Sequence, residues 1–318
     1  MEGLSDENVD MNVMIPQWKA DSGKPGPAVL ITAGVHGDEF EPMLSLYRLS
    51  ARLPQILTCG SVTALPAVNV GAVRSGTRCG PDGLDLARIC PGDAFGTPAQ
   101  RDAHAVSQLI RSSDFLIDLH TGGRILDIHP MCGYMIHPNA SILAKQREMA
   151  RAFGLPLIWG TDPAPNGRTL SVARDAGIPS MYVEYGGGSV VRPHIEEAYV
   201  DGCLRVLSLL DMIPESIVRQ AEPVRWWVED DRPDQGHLQS KMPSPADGVF
   251  IAAVSLGHPI YKGDLWGHVF DPLRGDRQEV RAEEDGLVLF LRAEAVVKTG
   301  DSLGGICVID ERVKQLKG

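Results

Sequence analysis

The chain has 318 residues, 43% of them hydrophobic and 22% charged, an ordinary globular composition that excludes fibrous and disordered classes and leaves room for one large domain plus a small one. Forty-one acidic against thirty basic side chains give a formal net charge of −11; with no local basic cluster, that balance disfavours nucleic acid and anionic lipid as partners. No run approaches the roughly 18 apolar residues of a bilayer span, and residues 1–10 are acidic rather than leader-like, so the expectation is a cytoplasmic protein without a membrane partner.

Short apolar runs alternate with amphipathic stretches from residue 27 onward. A strand expected over 28–34 leads to a helix over 42–53, and a strand over 62–68 to a helix over 97–112. Strands over 115–119 and 155–159 flank a helix over 140–153, and a strand over 180–184 precedes a helix over 195–212. The alternation predicts an α/β domain over 1–213, a mostly parallel sheet with helices on both faces. Residues 214–240, charged around Trp226 and Trp227, read as a connector.

The remainder, 241–318, differs in kind. Pro245-Ala-Asp-Gly-Val-Phe250 is echoed by Glu283-Glu-Asp-Gly-Leu-Val288, and Lys262-Gly-Asp-Leu-Trp-Gly267 by Lys298-Thr-Gly-Asp-Ser-Leu-Gly304. Such a repeat predicts a small all-β barrel-sandwich module. It resembles the biotinyl/lipoyl-type barrel, but the hairpin that would carry the cofactor, residues 270–279, has no lysine. A role in capping the catalytic domain, narrowing its entrance or making a homo-oligomer contact is expected instead. The six cysteines are scattered without a C-x-x-C pair, so any metal is sought among His, Asp and Glu.

Three strand ends carry the chemistry. Ile31-Thr-Ala-Gly-Val-His-Gly-Asp-Glu39 runs from an apolar strand into a turn where His36 and Glu39, three apart, share a face. They supply two of the three protein ligands that a catalytic zinc takes while keeping a fourth position for water. Asp114-Phe-Leu-Ile-Asp-Leu-His-Thr-Gly-Gly123 ends a second strand in His120, the third ligand, and Asp118, two residues earlier on the same strand face, is placed to orient it. Glu184 closes the apolar strand before Gly186-Gly-Gly188; burial would raise its pKa into the range useful for proton transfer unless Arg174 or Arg192 pairs with it. Arg74, Arg78 and Arg88, in a Gly- and Pro-rich stretch, suit an anionic substrate.

Taken in order, G-x-H-G-x-E (Gly34 to Glu39), N-x-x-A-x-x-x-x-x-R (Asn69 to Arg78), D-L-x-R-x-x-P-G (Asp85 to Gly92), D-L-H-T-G-G (Asp118 to Gly123) and V-E-x-G (Val183 to Gly186) resemble the zinc-dependent succinylglutamate desuccinylase/aspartoacylase family, related to the zinc carboxypeptidases. The resemblance spans nearly the whole chain. It implies one zinc ion on His36, Glu39 and His120, Glu184 as acid/base, Arg78 polarising the scissile carbonyl, and Arg88, with Asn69, Arg74 and Arg168, on the substrate. The activity implied is hydrolysis of the amide of a small anionic N-acyl amino acid. One position departs from the family: Ala87 replaces the usual Asn of D-L-N-R, which keeps open a carboxypeptidase or amidase acting on peptides or cell-wall fragments, with Arg168 as a compensating group. A non-catalytic scaffold is the reading from another class.

Overall fold

The computed structural model describes residues 14–233, 242–309 and 314–316. Its strands are β1 (Trp18–Asp21), β2 (Ala28–Thr32), β3 (Ser61–Leu65), β4 (Phe115–His120), β5 (Leu126–Met135), β6 (Leu157–Thr161), β7 (Ser180–Gly187) and β8 (Trp226–Asp230), then β9 (Gly248–Ala252), β10 (Pro259–Ile260), β11 (Leu265–Asp271), β12 (Asp276–Arg281), β13 (Gly286–Arg292), β14 (Val296–Val297), β15 (Gly304–Val308) and β16 (Lys314–Gln315). Helices are α1 (Phe40–Ile56), α2 (Val70–Ser75), α3 (Pro98–Arg111), α4 (Ala140–Phe153), α5 (Thr169–Ala176) and α6 (Pro193–Leu209). Among the described residues, no helix is long and apolar enough to cross a membrane.

The main sheet runs β1-β3-β2-β4-β7-β5-β6-β8-β16. Period-two alternation divides its strands between two cores. Val29 and Ile31 of β2, Ile117 and Leu119 of β4, and Met181 and Val183 of β7 join α1, α4 and α6 in one cluster. Leu30 and Leu116 join α3 and α5 in the other. Asp118 and His120 share the face of Leu116, so both are directed to the α3/α5 side at the carboxyl end of β4.

The sheet is mixed rather than mostly parallel. Pairs β2–β3, β2–β4, β4–β7, β5–β6 and β6–β8 are parallel, whereas β5 runs antiparallel to β7. The sequence reading missed β5 altogether because Asp127, His129 and Pro130 interrupt its apolar run, and the pairing indeed shifts register between Ile128 and Met131. Within the stretch read as connector, β8 is buried and pairs with β6 at the sheet's far side.

Residues beyond 242 form antiparallel strands ordered β12-β11-β9-β14 in one sheet. Phe250, Trp266, Val269, Val288 and Leu303 pack between this sheet and β13. The module is also stitched into the catalytic sheet: β13 pairs with β5 through Phe290 and Ile128, Leu291 and Asp127, and Arg292 and Leu126.

Candidate metal centre and substrate chamber

The G-x-H-G-x-E turn begins where β2 ends. Gly34 has φ 65°, a left-handed conformation that a side chain disfavours, and a Cβ on Gly37 would lie 2.0 Å from the backbone of Ala72. The turn therefore closes tightly and delivers His36 and Glu39 inward. Glu39 occupies the N-cap position of α1 without capping it. Its carboxylate is committed elsewhere: Oε1 lies 2.6 Å from His36 Nδ1, Oε2 lies 3.0 Å from His120 Nδ1, and Oε2 accepts from the Thr121 N–H at 3.2 Å.

His120 arrives from β4, and Glu184 stands directly opposite it on β7 in register. His36, Glu39 and His120 are all buried and offer ligand atoms within 4.8 Å of one another. The outer nitrogen of each ring is held by an acid. Asp118 Oδ2 lies 3.1 Å from His120 Nε2, and Asp85 Oδ1 lies 3.2 Å from His36 Nε2. Two imidazoles turned by carboxylates so that their Nδ1 atoms converge with a third carboxylate is the donor chemistry that fits a catalytic zinc. Asp118 is itself fixed by the hydroxyls of Thr32, at 2.6 Å, and Thr169.

Burial alone would raise the Glu39 carboxyl, but the charges of His36 and His120 outweigh it and hold the group well below the usual carboxylate range. Burial pushes against the charged form of His120 too, and there Asp118 and Glu39 win, keeping the ring protonated well above its ordinary range in the absence of a cation. Glu184 behaves oppositely. Burial raises its pKa to about 8, with His120 opposing and Glu39 adding to the shift. Its Oε2 is shut from solvent without a hydrogen-bond partner among the described residues. Neither arginine considered from sequence reaches it: Arg174 donates to the Pro163 and Pro165 carbonyls and Arg192 to Asp127.

These groups open into a chamber of about 410 Å³. Arg78, Arg88 and Arg168 line it together with Ala87. Arg78 donates from Nε and Nη2 to Asp85 Oδ2, at 3.2 and 2.9 Å. Arg88 donates to the Ala87 carbonyl, at 2.9 Å, and burial lowers its pKa, with Asp85 opposing and Arg168 and Arg78 adding to the shift. Arg168 Nε is buried with no hydrogen-bond partner among the described residues. This cluster carries excess positive charge, which an anion would relieve.

Two sequence expectations land elsewhere. Asn69 is the N-cap of α2, its Oδ1 accepting from the Ala72 N–H, and Arg74 is exposed in the last turn of the same helix; neither lines the chamber. The family resemblance implies both on the substrate, but α2 carries them outside the chamber lining. Asp85 was missed. Its signal lay in the D-L-x-R motif, where an acid precedes a buried arginine and needs a cationic or imidazole partner. Asp85→Ala is expected to weaken metal binding by about 10–100-fold, measured by competition with a chelating dye, because His36 loses the acceptor that orients it.

Comparison with known proteins agrees across methods of likeness. The model of the succinylglutamate desuccinylase/aspartoacylase catalytic domain matches residues 25–210. The N-alpha-acetyl-L-2,4-diaminobutyric acid deacetylase of Halomonas elongata is 33% identical over 326 aligned residues, covering 98% of this chain and 90% of that protein. Among solved structures, a succinylglutamate desuccinylase from a Silicibacter species superposes with a TM-score of 0.85 at 26% identity, covering 94% of this chain and 89% of that one. The product-bound ectoine utilization protein EutE of Ruegeria pomeroyi gives 0.83 at 27%, covering 93% and 89%.

Proposed function

The chain belongs to the succinylglutamate desuccinylase/aspartoacylase family, and from that premise we propose that it is a zinc-dependent deacylase that hydrolyses the amide of a small N-acyl amino acid. The observation that carries this reading is the convergence of His36, Glu39 and His120 beside Glu184, whose Oε2 has no partner among the described residues, in a chamber also lined by Arg88 and Arg168, which form no ion pair among the described residues. A scaffold would have no use for a buried carboxylate without a partner, which costs free energy wherever it does no chemistry. The relatives point the same way: one is named as a deacetylase of an N-acetyl diamino acid.

His36, Glu39 and His120 would hold the metal. Zinc, when bound, supplies a Lewis acid and lowers the pKa of a water from 15.7 to about 7. Glu184 takes the proton from the attacking water and returns it to the nitrogen of the leaving amine. Arg78, fixed by two bonds to Asp85, donates to the carbonyl oxygen as negative charge develops there, a role worth about 3–4 kcal/mol where single donors have been removed. Arg88 and Arg168 bind the substrate carboxylate. In the family the amide of D-L-N-R assists that grip; here Ala87 presents only a methyl group to the chamber, and Arg168, with its unpartnered Nε, takes over the task.

A panel of N-acetyl, N-formyl and N-succinyl amino acids beside dipeptides tests the reading on zinc-reconstituted protein. An N-acyl amino acid is expected to give the highest kcat/KM, and Arg168→Ala to raise its KM about tenfold or more, the cost of losing one charged hydrogen bond. Faster turnover of dipeptides would replace the deacylase by a carboxypeptidase.

A further inference from the structure

The carboxyl ends of β4 and β7 are held from the face of the sheet opposite the chamber as well as from within it. Tyr199 stands on α6, 1% exposed. Its ring lies in the apolar core that α1, α4 and α6 share, edge-on to Phe153 with centroids 6.5 Å apart and planes at 72°. That ring position is closely set, because Phe153 is itself pressed against α6: a Cβ on Gly202 would fall 2.3 Å from the Phe153 ring. A tyrosine so placed has an apolar body in the core and one polar atom that needs a partner. The hydroxyl finds it at the strand ends, donating to the His120 carbonyl and lying 3.3 Å from the Tyr185 carbonyl.

Those two carbonyls adjoin the two strand-borne side chains of the site. His120 and Glu184 face each other in register on β4 and β7, and the strands stay joined beyond them, the Gly122 N–H donating to the Gly186 carbonyl at 3.0 Å. The peptide that links His120 to Thr121 is gripped at both ends. Tyr199 holds its carbonyl from the α6 side, and Glu39 Oε2 accepts its N–H at 3.2 Å from the chamber side. A peptide that accepts a hydrogen bond at oxygen donates a stronger one from nitrogen, since linked hydrogen bonds polarise one another. One hydroxyl therefore fixes the backbone that carries His120 and steadies the carboxylate of Glu39. Asp118 turns the His120 ring by a separate contact, to Nε2 at 3.1 Å, so ring and backbone have different anchors.

We infer that Tyr199 is a positioning residue that sets the His120–Thr121 peptide and, through it, the approach of His120 and Glu39 to a metal ion. This inference rests on the metal site of the deacylase reading above. Tyr199 is absent from the chamber lining, so it acts through the strand ends and not on the substrate. Because its hydroxyl lies against carbonyls of both β4 and β7, it also governs the separation of His120 from Glu184.

The test is the zinc affinity of the full chain, read by competition with a chelating dye, in Tyr199→Phe, which keeps the ring and removes the hydroxyl. Zinc Kd is expected to rise about tenfold, the lower end of what groups that orient metal ligands contribute. On zinc-saturated protein, hydrolysis of an N-acetyl amino acid should lose about tenfold in kcat with KM within about twofold of wild type, because Arg88 and Arg168 are untouched. Leu207→Ala, also buried and about two turns further along α6, separates positioning from packing. The cavity it leaves should lower the Tm of the metal-free chain more than Tyr199→Phe does, while its zinc Kd stays within about twofold of wild type. A Tyr199→Phe variant that binds zinc as tightly as wild type, or a Leu207→Ala variant that weakens zinc as much, overturns the inference. If no N-acyl compound is hydrolysed, the deacylase reading fails, and the zinc affinities decide this inference separately.

Discussion

Glu184→Gln is expected to keep zinc at one equivalent per chain and to lower kcat by about 10²–10⁴-fold, the span that positioned general bases contribute. The substitution preserves shape and removes only the proton-carrying function. Glu184 is not among the clustered ligand atoms, so elemental analysis should read the same in both proteins while turnover does not. The pH profile adds a second signature. Glu184 must be ionised to accept a proton, so wild-type kcat/KM falls as pH drops through its pKa. Burial raises that pKa to about 8 when no cation is near, and a cation held by His36, Glu39 and His120 lowers it again by favouring the charged form. The acid limb therefore lies between about 4.3, the ordinary glutamate value, and 8. In Glu184→Gln the residual activity should lack that limb. A variant that turns over at the wild-type rate with its metal in place would remove Glu184 from the mechanism.

The strands that carry the site were legible because parallel strands buried on both faces read as unbroken apolar runs. The sequences around Ile31, Ile117 and Val183 have that form, and each ends at a residue that opposes it: His36 after the turn, His120 and Glu184. An acid or imidazole at the end of a run that pays for burial everywhere else marks a site. The less legible parts are those whose meaning depends on contacts far along the chain. Pro130 hid β5 because its neighbours on β7 and β13, which make it a central strand, lie 49 or more residues away in sequence. The role of Asp85 rests on a ring nitrogen of His36, 49 positions earlier.

His120→Ala should abolish stoichiometric zinc binding, and its consequence for stability follows from the same charges. In metal-free wild type two groups of the site, Glu184 and His120, have raised pKa values. The raised pKa of Glu184 means its neutral form is favoured in the folded chain, so the stability this confers is full below the ordinary glutamate range and is lost as pH rises through about 8. The raised pKa of His120 works in the same direction: its charged form is favoured by Asp118 and Glu39, and that stability also disappears with rising pH. Glu39, Asp85 and Asp118 have lowered pKa values and lose their contribution only in acid. Metal-free wild type should therefore lose Tm from pH 6 to 9. Zinc-loaded wild type should not, because ligands bind the metal in the deprotonated forms that higher pH supplies, and binding adds about 2.7 kcal/mol at a hundredfold excess over Kd. The Tm gap between loaded and stripped protein is expected to widen with pH in wild type and to be absent in His120→Ala at every pH. A gap that persists undiminished in that variant would mean the metal sits elsewhere, and with it the three side chains brought together from the turn after β2, the N-cap of α1 and the end of β4 would lose their common purpose.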